Sequence, residues 1–209
     1  MESERALKTA PIGKVCTLGQ AYAGKTTLIY RFTENEFNSA TAPTLGVCFA
    51  TKNVELTEEG LVVPLKIYDT AGEEKFTSLS RIYYRGADVA AVCYDMSNKD
   101  SWDRVKFWVD QLQKNNDNSH CRIYIVGLKA DLIADLDESQ HPISPQVVEQ
   151  FAHEIHARTF VTSALTGIGV VELFEEIARD IASVSTQSQI DEPNIFQLDD
   201  EQEDPICWC

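Results

Sequence analysis

The stretch KVCTLGQAYAGKTTLIYRF (14–32) restricts the possible folds of this chain more than any other. KVCTL is a short apolar strand, TTLIYRF continues into a helix, and GQAYAGKT (19–26) between them matches G-x-x-x-x-G-K-[ST]. A glycine-bearing turn before a helix is the bland alternative, but here the motif has both of the flanks that phosphate binding requires. Backbone N–H groups of such a loop converge on phosphate oxygens, Lys25 neutralises the β and γ oxygens, and the Thr26 hydroxyl ligates Mg2+. Gly19, Gln20, Ala21, Tyr22, Ala23, Gly24, Lys25, Thr26 and Thr27 are therefore the first candidate nucleotide contacts.

The rest of the chain alternates strand and helix patterns. LGVCFATKNVEL (45–56), the turn TEEG and LVVPLKIY (61–68) read as a β-hairpin, with Pro64 favouring an edge or a bulge. VAAVCY (89–94) and RIYIVGL (122–128) are continuous apolar runs of the kind buried on both faces of a parallel sheet, and TFVTS (159–163) is a further strand. Trp102, Val105, Trp108, Val109 and Leu112 fall at helical spacing, as do Val147, Val148, Phe151 and Ile155 after the Ser144-Pro145 start signal. Val170, Leu173, Phe174, Ile177 and Ile181 form a last amphipathic helix. Alternation up to about residue 183 predicts a doubly wound α/β sheet, with ligands at the carboxyl ends of its strands.

At 209 residues and 44% hydrophobic content, one domain with a modest appendage is expected. The net charge of −15 argues against nucleic acid, whose phosphates need a cationic surface. All 18 Lys and Arg precede residue 184, whereas Asp191, Glu192, Asp199, Asp200, Glu201, Glu203 and Asp204 follow it, so residues 184–209 read as an acidic, disordered tail. MESERALKTAP (1–11) reads as a flexible N-terminus. It has neither a basic start with an apolar core nor a glycine after Met1, so the expectation is a cytoplasmic protein with reduced thiols. Cys16, Cys48, Cys93 and Cys121 lie in or beside apolar runs as packing residues; Cys207 and Cys209 lie outside any core.

PTLGVCF, LKIYDTAGEEKF, SRIYYRGA and VCYDMS resemble, in order and spacing, the signatures of Rab proteins within the Ras superfamily. The likeness covers residues 12 to about 183 and implies a three-layer P-loop NTPase, or G domain. Its sheet would be mostly parallel and six-stranded, with one antiparallel edge strand and about five helices. SRIYYRGADVAAVCYD and KFWV also resemble a divergent Rab subgroup associated with autophagy and late endosomes. The resemblance implies that Asp69 holds the Mg2+ hydration shell and that the Gly72 N–H senses the γ-phosphate. It makes Thr44 the switch I threonine, with its hydroxyl on Mg2+ and its N–H on the γ-phosphate. Residues 37–49 and 70–85 would then order with GTP and relax with GDP. Phe49, Tyr68 and Tyr83 fall where the family places aromatics that read effectors, with core packing as the alternative.

The chain departs from the family at four places. Guanine recognition uses N-K-x-D and S-A-K, whereas this sequence has LKAD (128–131) and SAL (163–165). Asp131 still accepts from the two guanine donors, so specificity should survive, with Lys129, Ser163, Ala164 and Leu165 around the base and Phe37 flanking it. Leu128 replaces a bracing asparagine, whose hydrogen bonds are worth about 0.5–1.5 kcal/mol each, so weaker binding is expected. Glu73 stands where the family has a glutamine that orients the attacking water and donates toward developing charge. As a carboxylate it keeps acceptors and loses the donor: it either swings away from the phosphate, leaving slow hydrolysis, or serves as a base. Impaired or altered hydrolysis is the favoured outcome, with Lys25 and Glu73 as the catalytic pair. Ala21 and Tyr22 add bulk beside the γ-phosphate, either as ordinary loop variation or as an obstacle to a catalytic arginine.

The sequence closes on PICWC, with Ile206 where a C-a-a-X box would need cysteine. Cys207 and Cys209 instead resemble the Rab pattern for double geranylgeranylation. The expectation is therefore a monomer held on the cytosolic face of endomembranes by prenyl groups. Rab escort protein, geranylgeranyl transferase, GDI, an exchange factor, a GTPase-activating protein and effectors are the partners the resemblance implies. A hydrolysis-poor, mostly GTP-bound scaffold is the alternative function. A small-metabolite kinase leaves the terminal cysteines unexplained.

Overall fold

The computed structural model describes residues 7–38, 44, 47–72 and 84–188. The strands are β1 Lys8–Thr9, β2 Gly13–Leu18, β3 Val47–Leu56, β4 Leu61–Thr70, β5 Val89–Asp95, β6 Arg122–Leu128 and β7 Arg158–Val161. The α-helices among these residues are α1 Lys25–Glu34, α2 Lys99–Asp103, α3 Val105–Asn115, α4 Pro145–Glu154 and α5 Val170–Ser188. Every strand pairing is parallel except β3 with β4, which is the antiparallel hairpin turned at Thr57–Gly60.

Seven strands stand where six were expected, because two short ones share a single place in the sheet. β1 pairs with Leu61 and Val62 of β4, and β2 pairs with Leu65 through Asp69 of the same strand, so both lie along one edge of β4. Pro64 sits between these two pairings, in register only with Asn53 of β3. A proline has no N–H for a ladder, so the break falls where a bond is missing anyway. Thr9 and its neighbours are tied down in the stretch read from sequence as a flexible N-terminus, with Ala10 N donating to Val62 O at 2.8 Å.

Continuous apolar strands bury both faces, as a parallel sheet with helices on each side requires. Val15, Ile67, Cys93 and Val126 face one way, against Leu28 and Phe32 of α1 and Leu173, Phe174 and Ile177 of α5. The Phe32 and Phe174 rings stack at 3.8 Å, fixing α1 against α5. Cys16, Ala90, Val92 and Ile125 face the other way, against Trp108, Val109 and Leu112 of α3 and Val148 and Ala152 of α4. Cys16 and Cys93 are core residues, whereas Cys48 and Cys121 are half-buried. Ser144 stands at the N-cap position of α4 with Pro145 at its first position, and α5 runs on to Ser188, past the boundary expected near 183. Among the described residues no helix is long and apolar enough to cross a membrane.

Candidate functional site

β2 delivers the chain into the phosphate loop at the carboxyl edge of the sheet. Gly19 has φ +141°, and a Cβ there would lie 2.2 Å from the Cys93 carbonyl oxygen, so only glycine lets the loop leave β2 so close to β5. Gly24, at φ +108°, caps α1 and points the helix N-terminus at the cleft. Tyr22 takes φ +64°, a left-handed conformation that strains a side-chain-bearing residue by about 1–2 kcal/mol, and the residue is 75% exposed.

Lys25 is buried, and its Nζ donates to the Gly19 and Gln20 carbonyls, each at 3.0 Å. Burial holds its ammonium below the ordinary lysine value, opposed by the nearby Asp69 charge. Three chain segments converge beside it. Thr26 Oγ1 donates to Asp69 Oδ2 at 2.5 Å, Thr44 Oγ1 donates to the same oxygen at 3.1 Å, and the two hydroxyls lie 2.8 Å apart. Thr17 Oγ1 reaches Asp69 Oδ1 at 3.4 Å, and Thr70 Oγ1 donates to the Thr17 carbonyl at 2.6 Å. Burial raises the Asp69 carboxyl above the usual range, opposed by the Thr26 hydroxyl and the Lys25 charge.

This oxygen set fits a hard divalent ion. Mg2+ takes one or two protein oxygens and completes its shell with water and phosphate, which two threonine hydroxyls around one carboxylate allow. Clusters of three His, Cys, Asp or Glu side chains, which would suit a dedicated protein cage, are absent among the described residues.

Gly72 packs on the phosphate loop itself. Its carbonyl accepts from Ala21 N at 3.1 Å, and a Cβ on Gly72 would lie 2.1 Å from that nitrogen. Gly72 therefore meets the loop backbone to backbone.

At the other end, β6 and the loop before α5 supply the residues expected around the base. Ser163 is fully buried, and its Oγ donates to Asp131 Oδ1 at 2.5 Å while accepting from Thr166 N at 3.2 Å. That bond orients the carboxylate. Leu128 is only 3% exposed and belongs to the core with Val126 and Phe174, whereas Leu165 is 51% exposed at the rim. Lys129 lies in the left-handed region, and its Nζ bridges the Tyr22 carbonyl at 2.9 Å and Asp95 Oδ2 at 2.7 Å.

One cleft of about 550 Å3 joins the two ends. Its walls include Ala21, Tyr22, Gly24, Lys25, Thr26 and Thr27 of the loop, then Phe37, Thr44, Gly72, Lys129, Asp131, Ala164 and Leu165. Gly19, Gln20, Ala23, Asp69 and Ser163 are not among its lining residues; Ala23, Asp69 and Ser163 are buried. Phe49 is 42% exposed, its ring 6.2 Å from Tyr68, with Lys66 Nζ 4.7 Å above it, so it is a surface aromatic rather than a core one. Glu73, Tyr83, Cys207 and Cys209 lie outside the described residues.

Sequence reading missed Thr17, Thr70 and Asp95. The signal available for Asp95 was an acid at the carboxyl end of the apolar run VAAVCYD; Thr17 and Thr70 looked like ordinary strand residues.

Residues 14–183 match the family model described as Ras family. The sequence is 41% identical over 167 residues to "Ras-related protein Rab-24" of Dictyostelium discoideum, covering 80% of this chain and 79% of that protein. It is 38% identical over 179 residues to "Ras-related protein Rab-21" of Homo sapiens (86% and 75%). To "Ras-related protein Rab-22A" of Homo sapiens it is 36% identical over 170 residues (81% and 84%). With a sheet of this order, a phosphate loop opening α1 and an Asp131–Ser163 pair at the far end of one cleft, the chain belongs to the Ras family of small GTPases, on its Rab branch.

Proposed function

We propose that this protein is a GTP/GDP-switched regulator of membrane trafficking whose own hydrolysis of GTP is slow. The observation that carries the switch reading is the meeting of Thr26, Thr44 and Asp69 within hydrogen-bonding distance, since Thr44 belongs to a segment remote from the loop in sequence. Thr26, Thr44 and Asp69 would hold Mg2+, which neutralises phosphate charge when bound.

The reaction is attack of water on the γ-phosphorus with release of GDP and inorganic phosphate. Lys25 stabilises charge on the phosphate oxygens, and the Thr44 and Gly72 backbones respond to the presence of the third phosphate. Loss of that phosphate releases both segments. Glu73 at the water position has no amide donor, and its charge opposes the approaching phosphate. Single-turnover hydrolysis of preloaded GTP tests this: Glu73→Gln should raise the rate by ~10-fold. Equal rates in the two proteins would remove any special role for the acid.

At the base, Asp131 selects guanine, with Phe37 and Leu165 against the ring faces. Leu128 offers no hydrogen bond, which supports weaker nucleotide retention than an asparagine there would give. The same substitutions support a second reading, a mostly GTP-bound scaffold that recruits effectors without cycling. The bound GDP fraction separates the two: it responds to an exchange factor in a cycling switch and stays constant in a scaffold.

Cys207 and Cys209 fit the paired lipid acceptors of this family, which would place the monomer on the cytosolic face of endomembranes. The acidic stretch 191–204 has no basic residue to assist binding to an anionic leaflet, so residence would depend on both lipids. A Cys207→Ser, Cys209→Ser double variant should leave the membrane fraction; continued sedimentation with membranes would contradict lipid anchoring. Escort protein, geranylgeranyl transferase, GDI, exchange factor, GTPase-activating protein and effectors reading Phe49 and Tyr68 complete this assignment. Autophagic and late-endosomal membranes are the proposed setting, on the resemblance of SRIYYRGADVAAVCYD to that Rab subgroup.

A further inference from the structure

The Lys129 side chain joins three parts of the molecule. Its Nζ donates to the Tyr22 carbonyl of the phosphate loop at 2.9 Å and to Asp95 Oδ2, at the end of β5, at 2.7 Å. Its own backbone, held left-handed at φ +61°, follows Leu128 at the base end of the cleft. Ala130 N is tied to the Thr162 carbonyl at 3.1 Å, and the lysine stem runs beside Gly24, where a Cβ would meet Lys129 Cε at 3.6 Å.

Asp95 is prepared for this role. It is 6% exposed, its Oδ1 accepts from Ser97 N at 2.9 Å and Ser97 Oγ at 2.6 Å, and its own N–H donates to Ser101 Oγ at 3.0 Å. With Oδ1 satisfied, Oδ2 is aimed at the lysine. The pair is partly buried, so its attraction is screened less than that of an exposed pair. Leu128, next in the chain, is buried in the core and has no polar atom to reach the phosphate loop.

We infer that Asp95 is a positioning residue for nucleotide retention: through Lys129 it ties the base loop to the phosphate loop, supplying the brace that Leu128 cannot. This rests on the nucleotide reading above. Without the carboxylate, the ammonium leaves the Tyr22 carbonyl for water, and the two loops that enclose the nucleotide move independently. The brace runs through Lys129 and Asp95 and not through the segments at Thr44 and Gly72 that respond to the third phosphate, so it serves di- and triphosphate alike.

The test is dissociation of mant-GDP and mant-GppNHp from the full-length chain with Mg2+ present. Asp95→Ala should accelerate both by ~10-fold, the loss of one charge-assisted hydrogen bond, and equally within about twofold. Asp95→Asn keeps an acceptor and should fall between, at ~3-fold. In the Leu128→Asn background the Asp95→Ala acceleration should shrink by at least half on a logarithmic scale, a response that a merely structural aspartate would not give. Should Asp95→Ala not fold, Asp95→Asn and Ser97→Ala decide: faster release in both supports the inference, and wild-type rates in both overturn it. Wild-type release from a folded Asp95→Ala, acceleration of one nucleotide alone, or an undiminished effect in the Leu128→Asn background would also overturn it. If the wild-type chain takes up no mant-GDP, the nucleotide reading falls with it, whereas normal uptake with an indifferent Asp95 sinks this inference alone.

Discussion

At the phosphate end of the cleft, Thr17, Thr26 and Thr44 each bond Asp69 within 3.4 Å, although the four come from β2, α1, the segment before β3, and β4. At the base end, Asp131 has Ser163, Lys129 has Asp95, and between them stand Leu128 in the core and Leu165 at the rim. The first arrangement is dense in charge and hydroxyl oxygen, so little can change without stranding a buried polar group. The second is backbone loops held by two side-chain pairs, where an apolar residue can stand at a polar position by packing into the core. The tolerant end of the cleft is the one where burial or solvent can absorb a change.

The largest separation between the ends should come from Lys25→Ala. Removing a buried cation that serves two phosphates should weaken GTP binding by ~100-fold or more, measured by calorimetry; a loss under about tenfold would make the phosphate end no more exacting than the base end. Asp131→Ala comes next, at ~30-fold for GDP, because two charge-assisted acceptors are lost. It should also abolish discrimination against inosine nucleotides, which lack the 2-amino donor; retained discrimination would move base recognition elsewhere. Leu128→Asn should slow mant-GDP release by about 3–10-fold by adding one or two hydrogen bonds, and an unchanged rate would show that the base end loses nothing through its leucine. Leu165→Lys should be smallest, about twofold, since an exposed side chain contributes little.

The phosphate loop, the hairpin, the parallel order of the inner strands and both helix faces are determined by the sequence alone. They rest on local signals: an apolar period, a glycine that must take positive φ, a proline that begins a helix. The G-x-x-x-x-G-K-[ST] motif singled out Lys25 and Thr26, whereas Asp131 was reached only through the resemblance of LKAD to the family's guanine motif. Pro64 suggested an edge or a bulge, whereas β4 is flanked by β3 on one side and by β1 and β2 on the other, with Pro64 between the β1 and β2 pairings.

Only the tertiary structure decided which polar atoms meet. Thr17 and Thr70 look like strand threonines until β2 and β4 pair and bring them around Asp69. Asp95 reaches Lys129 across 34 residues, and Lys129 reaches Tyr22 across 107, so no window of sequence contains either contact. The resemblance gave Gly72 an N–H toward the γ-phosphate but not the bond its carbonyl accepts from Ala21 N, which exists only in the fold. Periodicity reports which face a residue turns inward. Hydrogen-bond partners depend on strand order and on the crossing of loops at the sheet edge, and those exist only once the chain has closed on itself.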